Sequence, residues 1–148
     1  MFKHILVATD GSAHSDKAIA LALRVADGRP DTRVSALLVV RDYGMADYAR
    51  ATFGSPPDAP ELRDTLADEG HQRLAQVLTR YGERAARIVP LVTVSDRPFE
   101  DIVATATREH CDLIVMAPRG RGAVAGALLG SQTQRVLSLS KVPVLVAP

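Results

Sequence analysis

Five short runs of almost unbroken apolar residues punctuate the chain: Ile5 to Ala8, Val34 to Val40, Ile88 to Val94, Leu113 to Met116 and Val144 to Val146. A strand that is apolar at nearly every position is covered on both faces, and a parallel sheet lying between helices supplies that cover. The stretches between the runs have helical spacing, so strands and helices alternate in the manner of an α/β domain. The expectation is an open five-stranded parallel sheet with helices on both faces.

Four helical stretches complete this pattern. The first, from about Ser15 to Ala26, puts Ile19, Ala22, Leu23 and Ala26 on one face and Asp16, Lys17 and Arg24 opposite, with Gly28 and Pro30 ending it. The second begins near Pro60 and carries Leu62, Leu66, Leu74, Leu78 and Tyr81 as far as Gly82, with Gly70 as its weak point. A third starts at Pro98, with Ile102, Val103 and Ala106 inward. The fourth follows Gly130, with Val136, Leu137 and Leu139 available for packing and Ser131 and Gln134 at capping-box spacing. The segment from Asp42 to Ala59 holds Gly44, Gly54, Pro56 and Pro57, is too long for a plain connector, and reads as a mobile or ligand-covering loop.

A length of 148 residues suits a single domain, residues 1–148, that needs no covalent staple. Lys and Arg number 18 against 17 for Asp and Glu, which leaves no net field to hold nucleic acid or an anionic membrane. The single cysteine, Cys111, excludes an internal disulfide and reads as a small buried residue rather than a nucleophile. Met1-Phe2-Lys3 enters a strand with no signal-peptide core ahead of it, and no apolar run reaches the roughly 18 residues of a membrane helix. The expected setting is the cytoplasm, with neither membrane nor nucleic acid as partner.

Chemistry concentrates where strands one and four end. Strand four opens into Ala117-Pro118-Arg119-Gly120-Arg121-Gly122, and Gly130-Ser131 opens the next helix. Glycines let backbone approach a ligand, and a Gly-Ser pair at a helix start offers free N–H groups and a hydroxyl, which together describe a phosphate cradle. Ser131 as a plain helix cap, and Gly120 with Gly122 as a tight loop, are the structural alternatives. At the end of strand one, Asp10-Gly11-Ser12 fits either a carboxylate set against ribose hydroxyls or an ordinary strand-to-helix turn. Other chemistries fail on spacing. Gly120-Arg121-Gly122-Ala123-Val124-Ala125 lacks the acidic residue about 20 positions on that a dinucleotide site needs, no P-loop lysine follows the glycines, and Gly130-Ser131-Gln132-Thr133 lacks the second glycine of a nucleophile elbow. His4, His14, His71 and His110 have no metal-ligand spacing and read mostly as surface residues, with His14 near enough to Asp10 to watch.

Three stretches in order resemble the universal stress protein family: His4-Ile5-Leu6-Val7-Ala8-Thr9-Asp10-Gly11-Ser12, the glycine signature on Ala117, Gly120, Gly130 and Ser131, and Val142-Pro143-Val144-Leu145-Val146. The resemblance implies the adenine nucleotide alpha hydrolase-like fold with strand order 3-2-1-4-5, bound ATP with its Mg²⁺, and nucleotide contacts from Thr9, Asp10, Val39, Val40, Met116, Ala117, Arg119, Gly120, Arg121, Gly130, Ser131 and Gln132. Within this set Asp10 would meet the ribose, and Val39 and Val40 the adenine. The chain departs from the family where a glycine is replaced by Ala117, followed by Pro118, which has no N–H to donate. The implied function is an ATP-binding stress-response or regulatory protein that works through nucleotide-dependent conformation or partner binding. Ala117 and Pro118 keep a second reading open, a nucleotide-independent dimeric interaction scaffold of the same fold. Hydrolysis would be slow at most, because no convincing base accompanies Arg119, Arg121 and Ser131. The apolar C-terminal strand, residues 143–147, lies at the expected sheet edge and points to a homodimer, and the protein partners are unknown.

Overall fold

The computed structural model describes residues 1–42, 59–118 and 129–148. In chain order the elements are β1 (His4–Thr9), α1 (Ala13–Ala26), β2 (Arg33–Val40), α2 (Ala59–Thr79), a 3₁₀ turn (Gly82–Arg87), β3 (Ile88–Val94), α3 (Pro98–Arg108), β4 (Leu113–Met116), α4 (Ser131–Leu139) and β5 (Val144–Val146). The strands pair in the order β3-β2-β1-β4-β5, every pair parallel. The expected architecture, strand order included, is the observed one.

Period-two alternation sorts the strand side chains into two cores. Ile5, Val7, Val34, Ala36, Leu38, Leu113 and Val115 face α1 and α2, where they meet Ile19, Leu23, Leu74 and Val77. Leu6, Ala8, Leu37, Ile114 and Met116 face the other way, onto Ile102 and Ala106 of α3 and Val136 of α4. Both faces of the central strands β1, β2 and β4 are thus covered, which accounts for their unbroken apolar runs, whereas the edge strands β3 and β5 expose Val89 and Leu145. No described helix is long and apolar enough to cross a membrane.

At Gly70, expected as the weak point of this helix, α2 lies close against the sheet. A Cβ added there would lie 2.6 Å from a Val40 methyl and 2.7 Å from a Val92 methyl. α2 ends at Thr79, short of the expected Gly82, which takes a φ of +55° and opens the unanticipated 3₁₀ turn. Arg80 pairs with Asp16, and Arg84 and Arg87 with Asp27, so the end of α2 and the turn are tied along α1. Half-buried Tyr81 donates to the Asp16 carbonyl at 3.0 Å.

At the opposite end of the sheet the Asp112 carboxylate accepts from the N–H groups of Lys3 (2.7 Å) and His4 (3.0 Å), fixing the start of β1 against β4. Burial alone would raise its pKa, but the two N–H groups outweigh that term and hold the carboxyl below its ordinary value. His4 departs from the surface reading given to most histidines. It is buried, with Nδ1 2.9 Å from the Glu109 carbonyl and Nε2 2.8 Å from the Ser35 hydroxyl, while His14, His71 and His110 are exposed. In α4 only Thr133 and Val136 are buried; Leu137 and Leu139, expected to pack, are 41% and 52% exposed. The helix is short and rests on α3, so one residue per turn satisfies its contact.

Candidate functional site

The order β3-β2-β1-β4-β5 reverses its direction of winding between β1 and β4, so their C-terminal ends open on the crevice where open α/β sheets bind ligands. Register brings these ends level, Ala8 lying opposite Met116. β1 ends at Thr9, opposite Leu38, so Val39 and Val40 of β2 overhang it and wall one side of the crevice. Beyond them Ser95 N–H donates to the Val40 carbonyl at 2.9 Å, tying β2 to the exit of β3. The Val39 side chain packs on the α3 and α4 side, and that of Val40 on the α1 and α2 side.

Of the two roles expected of Asp10-Gly11-Ser12, the strand-to-helix turn is the one built here. Gly11 takes a φ of +77°, a conformation that favours glycine, and Asp10 Oδ1 accepts from Ser12 N–H at 2.9 Å in a tight turn. Ser12 is the N-cap of α1, its Oγ accepting from Ser15 N–H at 3.3 Å. Thr9, buried, shares a 2.8 Å hydrogen bond with the Ser15 hydroxyl, and its Oγ1 accepts from Gly11 N–H at 3.1 Å. The β1 exit is therefore rigid and its donors largely consumed.

The β4 exit is built differently. Gly130 N–H donates to the Pro118 carbonyl at 2.7 Å, and Thr133 Oγ1 donates to the Ala117 carbonyl at 3.0 Å. These two bonds clamp the start of α4 against the end of β4 and bring Ala117, Gly130 and Ser131 together. Met116 lies in the core, its carbonyl accepting from Ala147 N–H at 2.9 Å. Gly130, not Ser131, is the N-cap of α4; it bears no side chain and forms no side-chain cap bond. The capping box expected of Ser131 and Gln134 is absent, because Ser131 is already the first helical residue and the Gln134 amide donates to the Leu129 carbonyl at 3.2 Å. Ser131 is exposed. Gln132 turns its Oε1 towards α3, accepting from Phe99 N–H at 3.1 Å. Arg119, Gly120 and Arg121, together with the loop expected between Asp42 and Ala59, fall in or across segments outside the described residues.

Three helix starts on this rim can be compared. Ser12 caps α1 and Gln132 caps α3, whereas among the described residues no side chain accepts from the first-turn N–H groups of α4. That terminus presents oriented donors and the positive end of a helix dipole to the crevice, the arrangement that suits a phosphate. The described residues include no cluster of three or more metal-ligating side chains.

Cys111 is buried as expected. Burial, then the carboxylates of Glu109 and Asp112, push its thiol up to about 11, which keeps it protonated and unreactive at neutral pH. Two contributors to the crevice carry little signal in the sequence. Thr133 shows only as a hydroxyl one turn into a helix, and Arg73 as one more charged residue of α2. The Arg73 side chain packs over Gly11, with Nε 3.8 Å from the point where a Gly11 Cβ would stand. That Nε is buried without a hydrogen-bond partner, as are Asp16 Oδ1 and Thr93 Oγ1.

An open five-stranded parallel sheet that reverses its winding between β1 and β4, with helices on both faces, defines the class of α/β domain. Comparison with known proteins narrows the class: the chain belongs to the universal stress protein family, whose family model matches residues 1–148. It is 37% identical over 148 residues to the universal stress protein in the QAH/OAS sulfhydrylase 3′ region of Thermus aquaticus, covering 99% of this chain and 98% of that one. It is 31% identical over 144 residues to universal stress protein Rv2623 of Mycobacterium tuberculosis, and spans 44% of that longer relative. Among solved structures, hypothetical protein MJ0577 superposes with a TM-score of 0.79 at 26% identity, over 99% of this chain and 96% of the other. A universal stress protein solved in complex with cAMP superposes with a TM-score of 0.69 at 24% identity, over 99% of this chain and 97% of the other.

Proposed function

We propose that this chain is a cytoplasmic stress-response regulatory protein that binds an adenine nucleotide, ATP with its Mg²⁺, in the crevice between the ends of β1 and β4. The observation that carries this reading is the uncapped start of α4 beside two rim helices whose starts are capped. Gly130 has φ −71° and ψ 156°, values open to any residue, so the backbone does not require glycine there. The absence of a side chain is then best explained by something that approaches closely. The base end of the ligand lies along Val39 and Val40, the ribose at Asp10 and Thr9, and the phosphates at Ser131, with Arg119, Gly120 and Arg121 as further contacts. The structural neighbour solved with cAMP supports an adenine nucleotide as the ligand class.

The protein's own chemistry in this reading is binding. First-turn N–H groups and the Ser131 hydroxyl hold phosphate oxygens, Asp10 accepts from ribose hydroxyls, and apolar β2 residues exclude water from the base. No described side chain is set to activate an attacking water, so turnover stays far below about one per second. Occupancy changes the rim formed by α4 and the β4 exit and thereby the affinity for a protein partner. A thermal-shift series with ATP, ADP and AMP tests the reading: stabilisation that grows with nucleotide concentration supports it. No shift at millimolar nucleotide favours the scaffold reading, which rests on Ala117 in place of the family's glycine and on Pro118, which has no N–H to donate.

The same reading includes a homodimer through residues 143–147. β5 is an edge strand of the sheet, and Leu145 is 36% exposed on it. Pairing with a second copy satisfies its open backbone groups by two-fold symmetry.

A further inference from the structure

We infer that Arg73 is a specificity-determining residue of the crevice, contacting the base of the bound nucleotide; this rests on the nucleotide reading of the site. Its position is set by packing alone. The side chain runs from α2 to the Asp10-Gly11-Ser12 turn, its Nε 3.8 Å and its Cδ 3.9 Å from the point where a Gly11 Cβ would stand, beside Val77. The other outward arginines of this stretch have partners. Arg63 donates to the Val94 carbonyl at 2.8 Å, Arg80 pairs with Asp16, and Arg84 and Arg87 pair with Asp27. Arg73 Nε has none, although Asp16 Oδ1, on the same helix interface, is also buried and unpaired. A buried donor without an acceptor is a cost that persists where a ligand later supplies the acceptor.

The fold determines which part of the ligand this is. α2 covers β2 and β3, and at Gly70 it comes within contact of Val40 and Val92. Arg73 is one turn further along α2 and reaches the turn after β1 at Gly11, on the side of the crevice bordered by β2. The start of α4, where phosphates would bind, lies across β4 on the other side. A guanidinium at the first position stacks on a purine ring and donates to its ring nitrogens, which an ammonium does not do equally well.

The test uses the full chain with adenosine, AMP and ATP as probes, titrated by calorimetry into wild type, Arg73→Met and Arg73→Lys, alongside thermal melts of the unliganded proteins. Arg73→Met is expected to bind all three ligands about 3–30-fold more weakly and by the same factor. Its unliganded melting temperature should be equal to or above that of wild type, since an unsatisfied donor is removed. Arg73→Lys should recover only part of the affinity. Unchanged affinities in a wild type that binds would overturn the inference, as would a loss that grows from adenosine to ATP, which would make Arg73 a phosphate contact. A lowered melting temperature with unchanged binding would also overturn it, by assigning Arg73 to a structural pair with Asp16. A wild type that binds none of the probes defeats the nucleotide reading itself, a result separable from the others before any variant is made.

Discussion

Gly130 donates its N–H to the Pro118 carbonyl at 2.7 Å, so the start of α4 is hydrogen-bonded directly to the exit of β4. This bond has two consequences for the site. It occupies the Gly130 donor, leaving the N–H groups of Ser131, Gln132 and Thr133 as the donors of the α4 first turn that no described side chain caps. It also gives Pro118 a role its missing N–H does not impair, since the fold uses its carbonyl. The departure from the family pattern at Ala117 and Pro118 thus removes the Pro118 N–H as a donor, while the carbonyls of both residues anchor the start of α4.

Asp10 combines a turn bond with a proposed ribose contact, and two substitutions separate them. Asp10→Asn keeps an acceptor for Ser12 N–H and should retain stability, while Asp10→Ala loses both functions. Asp10→Ala should weaken ATP and ADP alike, by about 10–100-fold for a charge-assisted hydrogen bond. Equal affinities of wild type and Asp10→Ala for both nucleotides would leave Asp10 as a turn residue only.

Gly70→Ala sets two effects against each other. Helix propensity favours alanine by about 1 kcal/mol, but the new Cβ would stand 2.6 Å and 2.7 Å from methyls of Val40 and Val92, and overpacking of this kind costs about 1–3 kcal/mol. Net destabilisation of about 1–2 kcal/mol is expected by urea denaturation. A variant more stable than wild type would mean that α2 shifts outward without cost.

The carboxylate of Asp112 ties stability to pH. Its folded pKa lies below its unfolded one, so its contribution is complete above the unfolded value, about 3.9, and is lost as pH falls through the folded value. Asp112→Asn should cost about 1–2 kcal/mol at neutral pH, reduced from the full value of two charge-assisted bonds by solvent exposure. The gap between wild type and variant should close in acid, below about pH 4. A gap independent of pH would show that the charge plays no part.

The proposed dimer is checked by light scattering on the full chain and on a chain lacking residues 143–148. A dimer for the first and a monomer or insoluble protein for the second are expected, because an apolar edge strand is paired or protected. A clean full-length monomer at tens of micromolar, or a truncated chain that still dimerises, would contradict the β5 interface.

Strand positions were legible in the sequence because burial on both faces writes itself as continuous apolar runs, and Gly11 and Gly28 marked their turns through positive φ. The crevice was legible only by joining motifs far apart, Thr9-Asp10 and Gly130-Ser131, through strand order. Gly70 misled because a close helix-to-sheet approach and a helix weak point have the same letter. His4 misled because nothing local announces Ser35 and Glu109 as its partners. Ser131 and Gln134 had capping spacing, yet the chain enters α4 one residue earlier, at Gly130. Arg73 is visible only in three dimensions, since its importance lies in what it lacks.

Whether the start of α4 receives nucleotide phosphate is decided by calorimetric titration of Mg²⁺-ATP into wild type and Gly130→Val. Valine fits the N-cap dihedral angles and should leave the fold intact at a cost of about 1 kcal/mol. Its branched side chain fills the space a phosphate would use. The account predicts binding to wild type with a dissociation constant in the micromolar range or weaker, and no measurable binding to the folded variant. No heat from wild type at millimolar ATP, or equal binding by the two proteins, would contradict it.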